Sequence, residues 1–361
     1  MVISDLHLGA RPGVPVLQDR AARAVLVEAL AGVDRLVLLG DSLELRAGSI
    51  GRVLEVAEPV LADVGAALGA DGEVVVVAGN HDHRLLGPWR ERRAAADGSP
   101  GLGLETSVGW SAGEPLDVLA RALGPARVRA SYPGVWLRED VYAIHGHYLD
   151  LHITVPIMER LGAGLMRRLL RAPVPAAAEG YEAVLSPMYA WVDAAAQAGA
   201  GTGLGLQGRV WSGVQRGRRR RSVRQHSMAA VVPLAVAALN RAGLGPLRAD
   251  LSGPELRRAG LSAFGQVLGH LAPGAQHVIF GHTHRAGPLP TDDRWEWRTA
   301  AGTMMHNTGS WVYAPFFLGS APEQSPYRPG HAYLVGDEGP PELVNLLDGR
   351  WRPRGLRPGR G

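Results

Sequence analysis

The 361-residue chain contains no cysteine, which excludes disulfide scaffolds, thiolate metal sites and cysteine nucleophiles. Every metal ligand or nucleophile must therefore offer nitrogen or oxygen. Lysine is absent too, so all 38 basic residues are arginine. Beside abundant Ala, Gly and Pro, this reads as the codon bias of a GC-rich genome more than as chemistry. No stretch approaches the ~18 apolar residues of a membrane span; the nearest, residues 228–239, contains Pro233. Asp5 and His7 interrupt the start where the apolar core of a signal peptide would stand. A cytoplasmic protein is expected, with contact to the inner face of a membrane left open. Three residues separate Met1 from Asp5, short for a strand of the typical ~5–6, so a start upstream of Met1 stays open as well.

What is present is ordinary globular composition, 46% apolar and 20% charged. That rules out a wholly disordered chain, a collagen-like fibre and a coiled coil. At roughly 150 residues per domain the length fits one large domain or two smaller ones. With 38 basic against 34 acidic residues the net charge is +4, which permits contact with phosphates or anionic lipid without arguing for it.

Short apolar runs rich in branched residues recur, each ending in a polar residue able to bind metal. Val2, Ile3 and Ser4 lead into Asp5, residues 35–40 into Asp41, residues 73–79 into Asn80, residues 141–144 into His145, and residues 277–281 into His282. Such runs read as buried strands. Helical patterns over 17–31 and 53–68 separate the first three. Strand–helix–strand alternation implies a sheet with helices on its faces. In such sheets the ligand site gathers at the carboxyl ends of the strands, where these polar residues stand. From Trp295 to Leu347 the pattern returns to short strands with turns. The expected fold class is α/β, a two-sheet β-sandwich flanked by helices, with a large helical insertion. Its body would be residues 1–150 and 272–349, its helical cap 151–271, and its tail 350–361, rich in Arg, Gly and Pro, a disordered basic segment. Within the cap, 199–208 and the arginine run 216–224 read as mobile linkers.

Five motifs follow in order: Asp5-Leu6-His7, Gly40-Asp41-Ser42-Leu43-Glu44, Gly79-Asn80-His81-Asp82, His145-Gly146-His147 and Gly281-His282-Thr283-His284. Each alone is weak; together, at the ends of strands, they are specific. Imidazole with carboxylate and amide oxygen suits borderline divalent ions such as Mn, Fe, Co, Ni or Zn. A carboxylate on a tight turn can bridge two cations about 3.5–4 Å apart, a pair that clamps the attacking and leaving oxygens of a displacement at phosphorus. Glycines at 40, 79 and 281 let the chain turn sharply off the strand.

This set resembles the calcineurin-like metallophosphoesterase superfamily, over the whole chain apart from the insertion and tail. The resemblance implies two divalent ions, manganese first. Asp5, His7, Asp41 and His284 would hold one; Asp41 would bridge to the other, completed by Asn80, His145 and His282. His81 would be the general acid beside the phosphate, with Asp82 orienting its ring. Glu44 stands where many relatives carry Asp and is not an expected ligand. That form, with Gly281 to Arg285 and the pattern from His145 to Asp150, looks most like the UDP-2,3-diacylglucosamine hydrolase branch. That branch cleaves a pyrophosphate bond in a lipid precursor and holds acyl chains with a helical insertion. Its best-known members carry Arg in place of His81 and shorter insertions. Residues 307–311 are similar to the family's loop near the site.

The function expected is therefore a metal-dependent phosphoric ester hydrolase for a phosphodiester or pyrophosphate, with a nucleotide-linked lipid as the leading substrate. A hydroxide bridging the metals would attack phosphorus, while Asn80, His81 and Arg285, the last by a bidentate pair, would steady the phosphoryl oxygens. Two other classes stay open: a nuclease using the same centre, and a metal-binding scaffold without turnover. The arginine run lacks the interleaved aromatics that stack bases, which disfavours a nucleic-acid partner. His147 could reach the site; His83 and His152 are weaker candidates for touching substrate. Ile153, Ile157, Leu161, Leu165 and Leu169 form one stripe with Arg160, Arg167, Arg168 and Arg171 nearby. That stripe suits a helix lying on a membrane or framing an acyl groove, and equally a packed cap helix.

Overall fold

A computed structural model describes residues 1–11, 14–96, 98, 100–154, 163, 167, 175–197, 241, 253–318 and 321–352. Three parallel strands, β1 (Val2–Ile3), β2 (Arg35–Leu39) and β3 (Glu73–Val77), run side by side with Ile3 opposite Leu38 and Leu39 opposite Val77. Helix α1 (Arg20–Ala29) returns the chain from β1 to β2, and α2 (Ile50–Leu68) from β2 to β3. Each begins where a side chain takes up a free backbone N–H: Asp19 accepts from Ala21 N, and Ser49 from Arg52 N. These caps set the first helix a turn later than the apolar pattern alone indicates, and the second about a turn earlier.

Beyond β3 come α3 (Gly87–Ala95), β4 (Glu105–Val108), α4 (Pro115–Ala122), the long β5 (Arg127–Arg138) and β6 (Val141–Ile144). Helices α5 (Ala178–Gln197) and α6 (Gly253–Leu271) follow. Then come β7 (His277–Phe280), β8 (Met304–Asn307), β9 (His331–Leu334) and β10 (Glu342–Asn345). The short strands expected after Trp295 extend both edges of the sheet.

All ten strands form one hydrogen-bonded sheet, ordered β10-β9-β1-β2-β3-β5-β6-β7-β8 with β4 against β5. In place of the two sheets expected, the structure has one, continuous through β5. Arg127 to Ser131 pair with β3, and Gly134 to Arg138 pair with β6. The sheet curls, and one apolar cluster joins Val37, Leu39, Val75 and Val77 to Val135, Val141, Ala143 and Ile279. Alternation along each strand sends the other set outward. Leu36, Leu38, Val74 and Val76 pack on Leu26, Leu54, Leu61 and Leu119 of the helices. Tyr142, Ile144, Val278 and Phe280 pack on Tyr181, Leu185 and Tyr189 of α5 and Phe264, Val267 and Leu268 of α6. Each fully buried Leu, Val or Phe contributes roughly 1.5–3 kcal/mol, so the helices α5 and α6 share a core with the body.

The arginine run 216–224, the linker 199–208, residues 353–361 of the tail and most of the 153–170 stripe lie outside the described residues. No described helix is long and apolar enough to cross a membrane.

Candidate metal centre

The chain turns off β1, β2, β3, β6 and β7 at their carboxyl ends, and the side chains that follow converge. Among the described residues six non-glycines have positive φ: Asp5 (55°), His7 (47°), Asp41 (51°), Ala272 (45°), His282 (66°) and His284 (58°). Five of them are among the seven expected ligands. A left-handed conformation is costly for such side chains and persists where the surroundings impose it. Close approach is equally strict at Gly79, where a Cβ would collide with Asp41 Oδ1, and at Gly281, where it would strike Ser4 Oγ.

Three groups of side chains could each hold a metal ion: Asp5 with His7 and His284, Asp41 with His145 and His282, and His7 with Glu44 and His81. In the first, His284 Nε2 lies 3.1 Å from His7 Nε2 and 3.2 Å from Asp5 Oδ1. In the second, His145 Nε2 lies 3.3 Å from Asp41 Oδ2, and His282 Nδ1 lies 3.1 Å from Asn80 Oδ1. Asp41 Oδ2 is also 3.8 Å from His7 Nε2 and so faces both groups. Asp5 Oδ1 and His145 Nε2 are buried with no hydrogen-bond partner, and buried polar atoms left this way need an explanation. The donor set, imidazole and carboxylate around two points that share Asp41, fits a pair of divalent cations.

The outer atoms of these rings are held. His145 Nδ1 donates to the Leu39 carbonyl oxygen at 2.9 Å, and His282 Nε2 lies 2.9 Å from Asp150 Oδ1. Such partners fix tautomer and orientation in ligating histidines. Asp5 is braced by Ser4 Oγ and by the backbone N–H of His282 at 3.0 Å. Behind it, Asn307 Nδ2 donates to the Gly281 carbonyl at 2.9 Å and Trp311 N to the Asp5 carbonyl at 3.0 Å. The loop 307–311 therefore supports the motif turns.

Charge is concentrated here. Burial pushes the Asp41 carboxyl up, but His145, His81 and His7 around it hold it well below the usual carboxylate range. Burial likewise opposes charge on His145 and His7, yet Asp41 and Asp5 raise the first to about 10, and Glu44 with Asp41 raises the second to about 9. Burial and the neighbouring Arg46 guanidinium pull His81 down.

Two expected roles are placed elsewhere. Asp82 does not meet the His81 ring: its carboxylate accepts backbone N–H groups from Gly79 (2.6 Å), Ser42 (2.8 Å), Asp41 (3.3 Å) and Leu43 (3.3 Å). It ties the second motif turn to the third. Glu44 holds His81 Nδ1 at 2.9 Å and also His7 Nδ1 at 3.1 Å. The longer Glu side chain spans both rings. Arg285 does not open onto the site either. Both its Nη atoms donate to Asp292, at 3.0 and 2.6 Å, and its guanidinium lies over Trp297 at 5.4 Å.

His83 and His152 meet side chains of the helix α5, and His147 one of the strand β5. His83 Nε2 meets Glu182 Oε2 at 3.1 Å, His147 Nε2 lies 3.3 Å from the Tyr132 hydroxyl, and His152 Nε2 lies 2.7 Å from the Tyr181 hydroxyl. Glu182, fully buried on α5, also accepts from Tyr132, from Tyr148 at 2.9 Å and from Ser186 at 2.5 Å. Burial would raise it, but His83 and His147 hold it far below the usual range.

Sequence reasoning missed Arg46. It is 8% exposed, its Nη1 lies 3.2 Å from His81 Nε2, and its Nη2 donates to the Asn80 carbonyl at 3.1 Å. A helical-looking Leu-Arg-Ala step two residues past a motif carries no signal for this. No protein-family model matches the chain, and a search of curated proteins finds no match to it.

Proposed function

We propose that this chain is a dimetal-dependent phosphoesterase that hydrolyses a phosphodiester or pyrophosphate bond. The observation that carries the reading is the convergence of ligand-type atoms on both sides of Asp41, with Asp5 Oδ1 and His145 Nε2 buried without a hydrogen bond. Asp5, His7, Asp41 and His284 would hold one ion, and Asp41, Asn80, His145 and His282 the other, manganese being the first choice. When bound, such a pair lowers the pKa of water and neutralises charge on the attacking and leaving oxygens at phosphorus.

The chain's own groups supply the rest. Asp41, which would bridge the two ions, keeps its carboxylate ionised among three histidines. His81 stands at the edge, Nε2 3.9 Å from Asp41 Oδ2, with Nδ1 held by Glu44. With Nδ1 engaged, Nε2 is the atom at which a proton would be exchanged with the leaving oxygen once its contact with Arg46 Nη1 at 3.2 Å is given up, and Glu44 would steady the positive charge the ring gains. Asn80 turns its amide oxygen toward His282, and its amide N–H would donate to a phosphoryl oxygen. The curled sheet, with its halves facing each other across Val37, Val75, Ala143 and Ile279, supports the reading of a two-layered sandwich joined by β5. That architecture and the motif order are what the metallophosphoesterase resemblance implies. A nucleotide-linked lipid is the substrate class we favour, because a helical segment beside the site can hold a second substituent.

The test is hydrolysis of bis-p-nitrophenyl phosphate and p-nitrophenyl phosphate by chelator-stripped protein with and without Mn²⁺, beside Asp41→Asn. Turnover of the diester that needs both metal and Asp41 is expected. Metal-independent turnover, or full activity in Asp41→Asn, removes the reading.

A further inference from the structure

Arg46 lies in the turn Leu45–Ala47, beyond the second motif, and is buried beside the two residues just placed next to the phosphoryl group. Its acceptors are neutral: His81 Nε2 at 3.2 Å and the Asn80 carbonyl at 3.1 Å. Its Nε has no hydrogen-bond acceptor. The nearby carboxylate oxygen, Asp193 Oδ1 on α5, stands 3.6 Å away and is itself buried without a hydrogen bond. A buried guanidinium with two neutral acceptors and one loosely placed counter-ion is poorly compensated. Replacing the imidazole nitrogen by an anionic oxygen gives it a charge-assisted bond roughly twice as strong as a neutral one. The planar fork suits two oxygens of one phosphoryl group.

We propose that Arg46 is the phosphoryl-binding cation of this site, and that Asp193 is a positioning residue that holds its guanidinium beside His81. The inference rests on the phosphoesterase reading. Arg285, the arginine expected in this role, has both Nη atoms engaged by Asp292. Arg46 reaches the site from behind His81 instead, and Asp193 gives α5 a hold on substrate binding. That contact links the helix α5 to the residues proposed for the chemistry.

The experiment titrates inorganic phosphate into Mn²⁺-loaded wild type, Arg46→Ala, Arg46→Lys, Asp193→Asn, Asp193→Glu and the Arg46→Ala/Asp193→Asn double variant. Bound-metal stoichiometry, circular dichroism, and KM and kcat for bis-p-nitrophenyl phosphate are measured on the same samples. With metal content unchanged, Arg46→Ala weakens phosphate binding about 10- to 100-fold and raises KM, and Arg46→Lys, which keeps charge but not the fork, lies between. Asp193→Asn weakens binding several-fold, Asp193→Glu restores part of it, and the double variant matches Arg46→Ala because Asp193 acts only through Arg46. Phosphate binding within about twofold of wild type in Arg46→Ala and Arg46→Lys overturns the proposal, and so does additivity of the two substitutions for the positioning half. If Arg46→Ala does not fold, Arg46→Lys decides. Wild type that binds metal but neither phosphate nor the diester removes the phosphoesterase reading and this inference together. Turnover and phosphate binding retained in the Arg46 variants remove this inference alone.

Discussion

His145 presents Nε2 to Asp41 Oδ2 at 3.3 Å while its Nδ1 donates to the carbonyl oxygen of Leu39. A neutral ring of that tautomer would aim a lone pair at a carboxylate oxygen, which is repulsive unless a cation or a proton lies between them. Without a metal, protonation of the ring relieves that repulsion: Asp41 and Asp5 outweigh burial and raise His145 to about 10, and Glu44 and Asp41 do the same for His7, to about 9.

Metal loading near neutral pH is therefore expected to release protons. Below these raised values protons hold the two rings, so the apparent metal affinity rises with pH and levels off only near 9–10. Titration calorimetry in buffers of different ionisation enthalpy is expected to show about one to two protons released per loaded centre. Loading with no proton release contradicts the arrangement.

Gly79→Ala tests the packing of the centre without substituting an expected ligand. The added methyl meets Asp41 Oδ1 and crowds His145. Metal stoichiometry is expected to fall below that of wild type while the secondary structure by circular dichroism stays, and full metal content in the variant would show that the turn can shift.

Glu44 and Asp82 separate by phenotype. Glu44→Gln weakens the acceptor that orients His7 and His81 and is expected to lower metal affinity or turnover by about 10- to 100-fold. Asp82→Asn sets an amide against four backbone N–H groups and is expected to cost about 2–3 kcal/mol of stability, read by chemical denaturation. A fully stable Asp82→Asn would argue for a role in the chemistry after all.

Glu182→Ala leaves the hydroxyls of Tyr132 and Tyr148 and the ring of His83 without their shared acceptor. Breaking such a buried cluster costs about 3–5 kcal/mol. Hydrogen exchange should rise first along α5 and only later in β2 and β3.

Acid sensitivity has a source away from the centre. Burial outweighs the Arg328 carbonyl bond and pulls His331 down to about 4. Unfolded, the ring titrates near its ordinary value of about 6.5. Its folded pKa is depressed, so both states are neutral above about 6.5 and the unfolded state alone gains the proton as pH falls toward 4. The contribution lost across that window is about 3 kcal/mol. A His331→Gln variant is expected to show a flatter stability profile between these pH values, measured by denaturant unfolding; an unchanged slope would mean the ring is not buried neutral.

Much of the candidate site is legible in the chain because its candidate ligands follow local events. An apolar run forms a strand, a glycine or a polar residue ends it, and Asp5, Asp41, Asn80, His145 and His282 stand at those ends. Their order and the elements around them depend on neighbours a few residues away. What holds the ligands does not. Glu44 bonds two rings that lie 37 residues away on either side, and Asp193 reaches Arg46 from a helix far along the chain. Asp82 turns to four amides instead of His81, and Arg285 to Asp292, because the nearest partner in space satisfies a buried charge first. The continuous sheet has the same origin: β5 is long enough to pair at both ends, and only closure of the core decides that it does. Sequence alone determined which groups can bind metal and where the chain must turn. Tertiary structure decided which atoms face one another, since burial makes every unpaired charge or donor costly and only the folded packing says which partner is within reach.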